Sequence, residues 1–333
     1  MKKIYKVALV GCGSISKNHL AALKVLDFVK VVALCDTNTE KAAFRNTEFE
    51  LDARIYADYR ELLNCEELDA VHIATPHFLH AEMAVAALER DISVYLEKPI
   101  AISVSEAEKI LTAERKSRGR ITVSFQTRFN PATIEAMKLA DADGGAISGY
   151  GSVFWERGEK YYTESGWRGS MTTEGGGVMI NQAIHTIDLL CFFLGKPQKV
   201  CATTANHHLK GIVDVEDSCE GVILFEGGKQ ANFYATTAFK GYNATSLFLL
   251  TKNHKIEIRD SKLYVDGQHR EEGNDHENFV SKACYGNGHF TMIAKFYEAL
   301  DSGDEVPVTS ESASYALKIL LAAYRSGDEF ITL

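Results

Sequence analysis

Ile4-Tyr5-Lys6-Val7-Ala8-Leu9-Val10-Gly11-Cys12-Gly13-Ser14-Ile15-Ser16 decides the fold. Residues 4–10 read as a strand, and the unbroken apolar run Val7–Val10 is what burial on both faces of a sheet requires. A glycine turn follows, and then a helical pattern over Ser16–Leu26. Strand, Gly-x-Gly turn and helix make a dinucleotide-binding unit. Gly11 permits the tight turn, and Gly13 removes a side chain so that a pyrophosphate reaches the backbone of the Ser14-Ile15 turn at the helix N-terminus. The third glycine of such a fingerprint mainly packs helix on strand, so Ser16 in its place is a tolerable departure. Asp36 ends a second strand, Phe28–Cys35, 20 residues after Ser16. Its carboxylate suits the two ribose hydroxyls of an adenosine and repels a 2′-phosphate. Thr37 and Asn38 follow with no adjacent arginine, so the spacing predicts NAD in preference to NADP.

Outward from this unit the alternation continues. The pattern predicts a helix over Asp58–Leu63, a strand over Ala70–Ala74, a helix over Phe78–Arg90 and a strand over Ser93–Leu96. A helix over Ser103–Arg118 opens with the capping box Ser103-Val104-Ser105-Glu106, and Ile121–Phe125 is a further strand. Alternating strands and helices mean parallel βαβ units. After residue 125 the pattern changes. A helix starts with Asn130 as N-cap and Pro131 in first position. Ser218–Phe225 and Gln230–Thr237 flank the hairpin signal Glu226-Gly227-Gly228-Lys229, and Ser246–Thr251, Lys255–Arg259 and Lys262–Val265 alternate like strands. Helices near Phe290–Leu300 and Ser312–Arg325 finish the chain. The expected fold is α/β, an N-terminal Rossmann domain over residues 1–125. A C-terminal α+β domain over residues 126–333 has a large, open, mostly antiparallel sheet, with the last helix packing back on the first domain.

The 333 residues exceed one ordinary core, and the apolar share of 46% supports two. A formal charge of −9 without a Lys/Arg-rich run argues against a nucleic-acid partner, whose phosphates demand a basic surface. Seven widely spaced cysteines without a CxxC fit a reducing compartment rather than a disulfide framework or a structural zinc site. The N-terminus reads as a strand rather than a signal peptide, and no apolar stretch approaches the roughly 18 residues of a membrane span, so the expected location is the cytoplasm, with no membrane partner.

Five further segments carry chemistry-bearing residues in order along nearly the whole chain. They are Val71-His72-Ile73-Ala74-Thr75-Pro76 with His80, then Glu97-Lys98-Pro99, then Phe125-Gln126-Thr127-Arg128-Phe129-Asn130-Pro131. Residues 175–188, Gly-Gly-Gly-Val-Met-Ile-Asn-Gln-Ala-Ile-His-Thr-Ile-Asp, come next, followed by Tyr285-Gly286-Asn287-Gly288-His289. Together they resemble the Gfo/Idh/MocA oxidoreductase family, the glucose–fructose oxidoreductase and inositol dehydrogenase group. The resemblance implies a hydride transfer between NAD and a secondary hydroxyl carbon of a sugar, cyclitol or nucleotide sugar. It puts Lys98 at the substrate and nicotinamide, with Thr75, Pro76, His80 and Glu97 on the cofactor side, and makes His185 the acid/base partner.

Spacings of four and three place Asn181, His185 and Asp188 on one helical face. Many relatives have Asp where this chain has Asn181, and the Asn-Gln-Ala-Ile-His form is more like that of nucleotide-diphospho-N-acetylglucosamine uronate 3-dehydrogenases. The expected substrate contacts are Arg128, Trp167, Arg168, Asn181, His185 and His289. Glu174, His185 and Asp188 lack the pattern of a metal site such as HExxH, so no metal is expected. Relatives commonly assemble through the open sheet, which implies a homodimer or homotetramer. Other readings stay open: a member that retains NAD and oxidises transiently to enable elimination or glycoside cleavage, a non-catalytic NAD-binding regulator, or a reductase of a non-sugar substrate.

Overall fold

The computed structural model describes residues 3–241, 243–270 and 288–333. The expected motif at Tyr285, Gly286 and Asn287, and Cys284 beside it, lie outside the described residues. The first layer runs β1 (Tyr5–Val10), α1 (Ser16–Val25), β2 (Val29–Cys35), α2 (Thr39–Glu48), β3 (Arg54–Tyr56), α3 (Tyr59–Cys65), β4 (Ala70–Ile73), α4 (His80–Leu88), β5 (Ser93–Glu97), α5 (Val104–Glu114) and β6 (Ile121–Ser124). All six strands are parallel, in the order β3-β2-β1-β4-β5-β6. The order reverses between β1 and β4, so a crevice opens past their carboxyl ends, where α/β sheets bind ligands. Gly11, at φ +95°, sits in that crevice; a Cβ there would stand 2.6 Å from the carbonyl carbon of Ala74. Only glycine allows this turn to lie so close to the end of β4.

The second layer continues with α6 (Pro131–Ala142), β7 (Ser148–Phe154), α7 (Glu159–Thr163), α8 (Ile184–Leu194), β8 (Pro197–Ala205), β9 (Ser218–Phe225), β10 (Gln230–Thr236), β11 (Ala244–Leu250), β12 (Lys255–Arg259), β13 (Lys262–Val265), β14 (Gln268–Arg270), α9 (Gly288–Ser302), α10 (Ser310–Ser326) and β15 (Ile331–Thr332). Its nine strands are ordered β14-β13-β12-β11-β7-β10-β9-β8-β15, antiparallel except for the pair β7 and β10. One face receives α8, where Gly149 and Gly151 of β7 leave room for Leu190 and Thr186. The other face carries Tyr150, Phe154, Val222, Tyr234 and Phe248, exposed or half-buried, with Tyr150 opposite both Phe248 and Asn232.

The two layers share one apolar core. Helix α9 buries Ile293, Phe296 and Tyr297 against the first layer, and α10 lies against α5, β6 and β8. Thr122 of β6 binds Val308 twice, its hydroxyl donating to the carbonyl (3.0 Å) and accepting from the amide (3.1 Å). Several local features depart from the sequence reading, which names no element at β7, α7 or β8. Helix α2 and strand β3 fill residues 39–56, where the sequence reading places no element. Asn130 precedes α6 but caps nothing there; its side-chain oxygen accepts from the amide of Gly288 at 3.0 Å instead.

Candidate active site

At the glycine turn, a Cβ on Gly13 would meet no atom within 4 Å, unlike one on Gly11. Ser14 is exposed, Ile15 is half-buried, and α1 starts without a side-chain cap, which leaves its first amide groups for a ligand. The Ser16 hydroxyl donates back to the Gly13 carbonyl at 2.6 Å. Asp36 is fixed from both sides, one oxygen accepting from the Cys12 amide and the other from the Asn38 amide, each at 2.9 Å. Arg45 of α2 reaches this loop too. It donates to Ser16 (3.0 Å) and Gly13 (3.1 Å) and pairs with Glu48, so its guanidinium is committed within the protein. Uncapped amides, an open second glycine and an oriented carboxylate fit an adenine dinucleotide.

Beyond the crevice, Lys98 follows β5 directly, and its peptide to Pro99 is cis. The half-buried ammonium donates to the backbone oxygen of Asn181 at 3.0 Å and lies 3.5 Å from its side-chain oxygen. Burial pulls the Lys98 pKa down to about 8; Glu97 and Glu174 oppose the fall and Arg168 adds to it. Glu174 is fully buried behind Asn181, accepting from its amide at 2.5 Å and from the Gly169 amide at 2.6 Å. Burial pushes this carboxyl up to about 7 in spite of those donors and the charges of Arg168 and Lys98.

His185 and His289 flank the lysine. Burial and the Lys98 charge lower His185 to about 3, and burial lowers His289 to about 4. Nδ1 of His185 and both ring nitrogens of His289 are buried without a hydrogen-bond partner among the described residues. Tyr161 closes the far side, its hydroxyl accepting from Asn181 at 3.1 Å. Two guanidiniums lie over its ring, Arg157 at 4.8 Å and Arg168 at 4.5 Å, and both Nε atoms are buried and unpartnered among the described residues. Trp167 packs edge-on against His77 at 4.7 Å. Thr75 and Pro76 are half-buried at the end of β4, beside the glycine turn.

Several expectations need correction. Asn181 does not share the α-helical face of His185 and Asp188, because Met179–Ala183 forms a π-helical turn before α8. Asn181 turns to Glu174 and Tyr161, whereas His185 and Asp188, three apart in α8, meet the Phe125 ring and Arg128. π-helical turns are rare and cluster at functional sites. Arg128, expected at the substrate, is instead committed within the protein. It is buried, bidentate to Asp188 at 2.8 and 2.6 Å, and donates to Ser312 at 2.9 Å. His80 has both ring nitrogens on backbone carbonyls, Pro99 at 2.7 Å and Thr75 at 3.0 Å, so it braces the lysine turn and leaves no nitrogen for a cofactor. Glu97 does not hold Lys98 by a hydrogen bond; it accepts from buried His19 at 3.0 Å. The glycine run packs on protein: a Cβ on Gly175 would lie 2.7 Å from Ile102, and one on Gly176 or Gly177 would overlap Tyr324 or Glu216. The sequence reading missed Glu174 as a charge beside Lys98, and it missed His77, whose Nδ1 lies 2.8 Å from the Glu174 carbonyl.

Comparison with known proteins agrees with this architecture. Residues 5–125 match the oxidoreductase family with an NAD-binding Rossmann fold, and residues 140–262 match the GFO/IDH/MocA C-terminal domain. D-apiose dehydrogenase of Paraburkholderia graminis is 28% identical over 68% of this chain and 59% of its own length. Inositol 2-dehydrogenase of Salmonella typhimurium is 30% identical over 41% of each chain. The matched stretches thus span about half the length of these curated relatives. The WlbA dehydrogenase of Bordetella pertussis, solved with NADH and UDP-GlcNAcA, superposes with a TM-score of 0.87 at 26% identity, covering 100% of this chain and 99% of that one.

Proposed function

We propose that this chain, which belongs to the GFO/IDH/MocA oxidoreductase family, is an NAD-dependent dehydrogenase acting on a secondary hydroxyl of a sugar-like molecule. The observation that carries this reading is the convergence of Lys98, lowered to about 8, with ring nitrogens of His185 and His289 that have no hydrogen-bond partner among the described residues, beside a dinucleotide crevice. Gly11, Gly13, Ser14 and Ile15 hold the pyrophosphate, Asp36 the ribose, and Thr75 and Pro76 the path toward Lys98. When bound, the nicotinamide accepts or returns the hydride.

Lys98 takes the hydroxyl proton as the carbonyl forms and returns it in reverse, since a group near neutrality is suited to both steps. His185, with its low pKa, is neutral and offers a lone pair that orients the hydroxyl. Asn181 holds Lys98 through its two oxygens. Glu174, at about 7, is a second proton acceptor behind it. Trp167, Arg168 and His289 line the substrate side, and the guanidiniums of Arg157 and Arg168, which form no ion pair among the described residues, favour a substrate bearing carboxylate or phosphate. The aromatic face around Tyr150 and Phe248 pairs two copies of the chain. The described cysteines are all free, which suits a reducing cytoplasm, and no helix among the described residues is long and apolar enough to cross a membrane.

The test is NADH absorbance over cyclitols, aldoses, uronates and nucleotide sugars with NAD and NADP. At least one class reduces NAD, anionic members best. NAD that binds without being reduced by any class refutes the reading, and protein purified with nicotinamide attached but without net turnover favours the NAD-retaining alternative.

A further inference from the structure

Beneath the crevice, four buried polar side chains from four elements form a single file. Tyr297 of α9 meets Nε2 of His72 on β4 at 2.9 Å. His72 Nδ1 meets His19 Nδ1 on α1 at 2.8 Å, and His19 Nε2 meets Oε1 of Glu97, the last residue of β5, at 3.0 Å. All four are closed off from solvent, Glu97 being the most accessible at 7%. Nothing in the activity proposed above requires this file.

Its proton order follows from hydrogen-bond accounting. A nitrogen-to-nitrogen contact holds one proton, so one histidine donates and the other accepts. The Tyr297 hydroxyl has one hydrogen-bond partner among the described residues, His72 Nε2. A buried hydroxyl without an acceptor costs free energy, so Tyr297 donates and His72 Nε2 accepts. His72 then carries its proton on Nδ1 and donates to His19 Nδ1. His19 in turn carries its proton on Nε2 and donates to Glu97. Every group is satisfied in this order. The reverse order, with Glu97 protonated, and an order with doubly protonated His19 both strand the tyrosine proton.

We propose that Tyr297, His72 and His19 are positioning residues that hold Glu97 as a carboxylate beside Lys98, so that the proton-transfer state of the lysine is set by buried groups of α1, β4 and α9. This rests on the role given to Lys98. The groups facing Glu97 are His19 from α1, His289 from α9 at 3.9 Å and Lys98 next to it in sequence. Lys98 also feels Glu174 and Arg168. Burial drives Glu97 toward the neutral acid, and the donated bond from His19 and the Lys98 ammonium work against it. His19 lies within the first turn and a half of α1, whose N-terminus is the glycine turn, so the helix that receives the dinucleotide also holds this donor.

The first test is independent of activity. Nitrogen-15 NMR of histidine-labelled wild-type protein should show His72 protonated on Nδ1 alone and His19 on Nε2 alone at neutral pH. The opposite tautomers, or either ring doubly protonated, overturn the proposal. The second test is the pH–rate profile. His19→Leu leaves Glu97 without its donor, and the Lys98 limb should fall by about one pH unit, within the range for loss of a close opposite charge. His19→Gln, which keeps an amide donor, should restore most of it. A limb unmoved in folded His19→Leu refutes the coupling, whereas displaced tautomers in an active enzyme refute the proton order without touching the role of Lys98.

Discussion

Alanine at the two glycines of the turn separates folding from cofactor binding. Gly11 has φ +95°, and its new Cβ would press on the Ala74 carbonyl, whose carbon is 2.6 Å away. Strain at such a φ costs roughly 1–3 kcal/mol, and displacing the end of β4 adds to it, so Gly11→Ala should lose about 3 kcal/mol. A chain of this size has an unfolding entropy near 0.7 kcal/mol/K, which converts that loss to a Tm about 4 °C lower. A Cβ on Gly13 meets nothing within 4 Å, so Gly13→Ala should keep its stability within about 0.5 kcal/mol. If a pyrophosphate passes over Gly13, the same methyl overpacks the complex by about 1–3 kcal/mol, roughly a 5- to 150-fold weaker Kd. Thermal melts with and without NAD read both effects, because a ligand that binds only the folded state raises Tm. Calorimetric titration supplies the Kd. Gly13→Ala binding NAD like the wild type would remove the cofactor from this turn, and an undiminished Tm in Gly11→Ala would refute the steric reasoning.

Three further outcomes follow from the described contacts. Asp36→Ala should narrow the preference for NAD over NADP in paired titrations, since the repulsion of a 2′-phosphate is gone; wild-type protein with equal affinity for both contradicts it. Arg128→Met leaves Asp188 buried without its cation and should cost about 3–5 kcal/mol in denaturant unfolding while substrate KM in the folded variant is kept; a raised KM at unchanged stability would return Arg128 to the substrate. Asn181→Asp sets a carboxylate against Lys98 and Glu174, so both pKa values rise and the Lys98 limb moves up by roughly one pH unit; an unmoved limb means residue 181 does not face the lysine.

Most of the parallel layer was legible because β1, β2, β4 and β6 are largely apolar runs, and the turns into α1, α3 and α5 carry glycine or the caps Asp58 and Ser103. Helix α2 escaped because it is mostly polar, buries only Ala42 and Arg45, and leaves Phe44 in solvent. β3 is a three-residue edge strand, too short to alternate. At the site, Lys98 and His185 were found through motifs, but their surroundings depend on contacts distant in sequence. Arg128 and Asp188 stand 60 residues apart, and neither segment announces the other. The i, i+4 argument failed at Asn181 because residue spacing cannot distinguish an α-turn from the π-helical turn that interrupts it. Glu174 sits in an irregular loop, where no periodicity signals that a carboxylate will be buried. His19 and His72 lie in apolar stretches, and only the packing of α1, β4 and α9 brings them into one file.

The central claim is that Lys98 moves the proton in a hydride transfer. It is tested most directly by kcat for NADH formation in Lys98→Met, on whichever substrate the panel identifies and with NAD saturation verified by titration. A positioned acid/base group contributes about 10²–10⁴-fold, so kcat should fall by that factor while KM changes little. Turnover within a few-fold of the wild type in that variant would contradict the account.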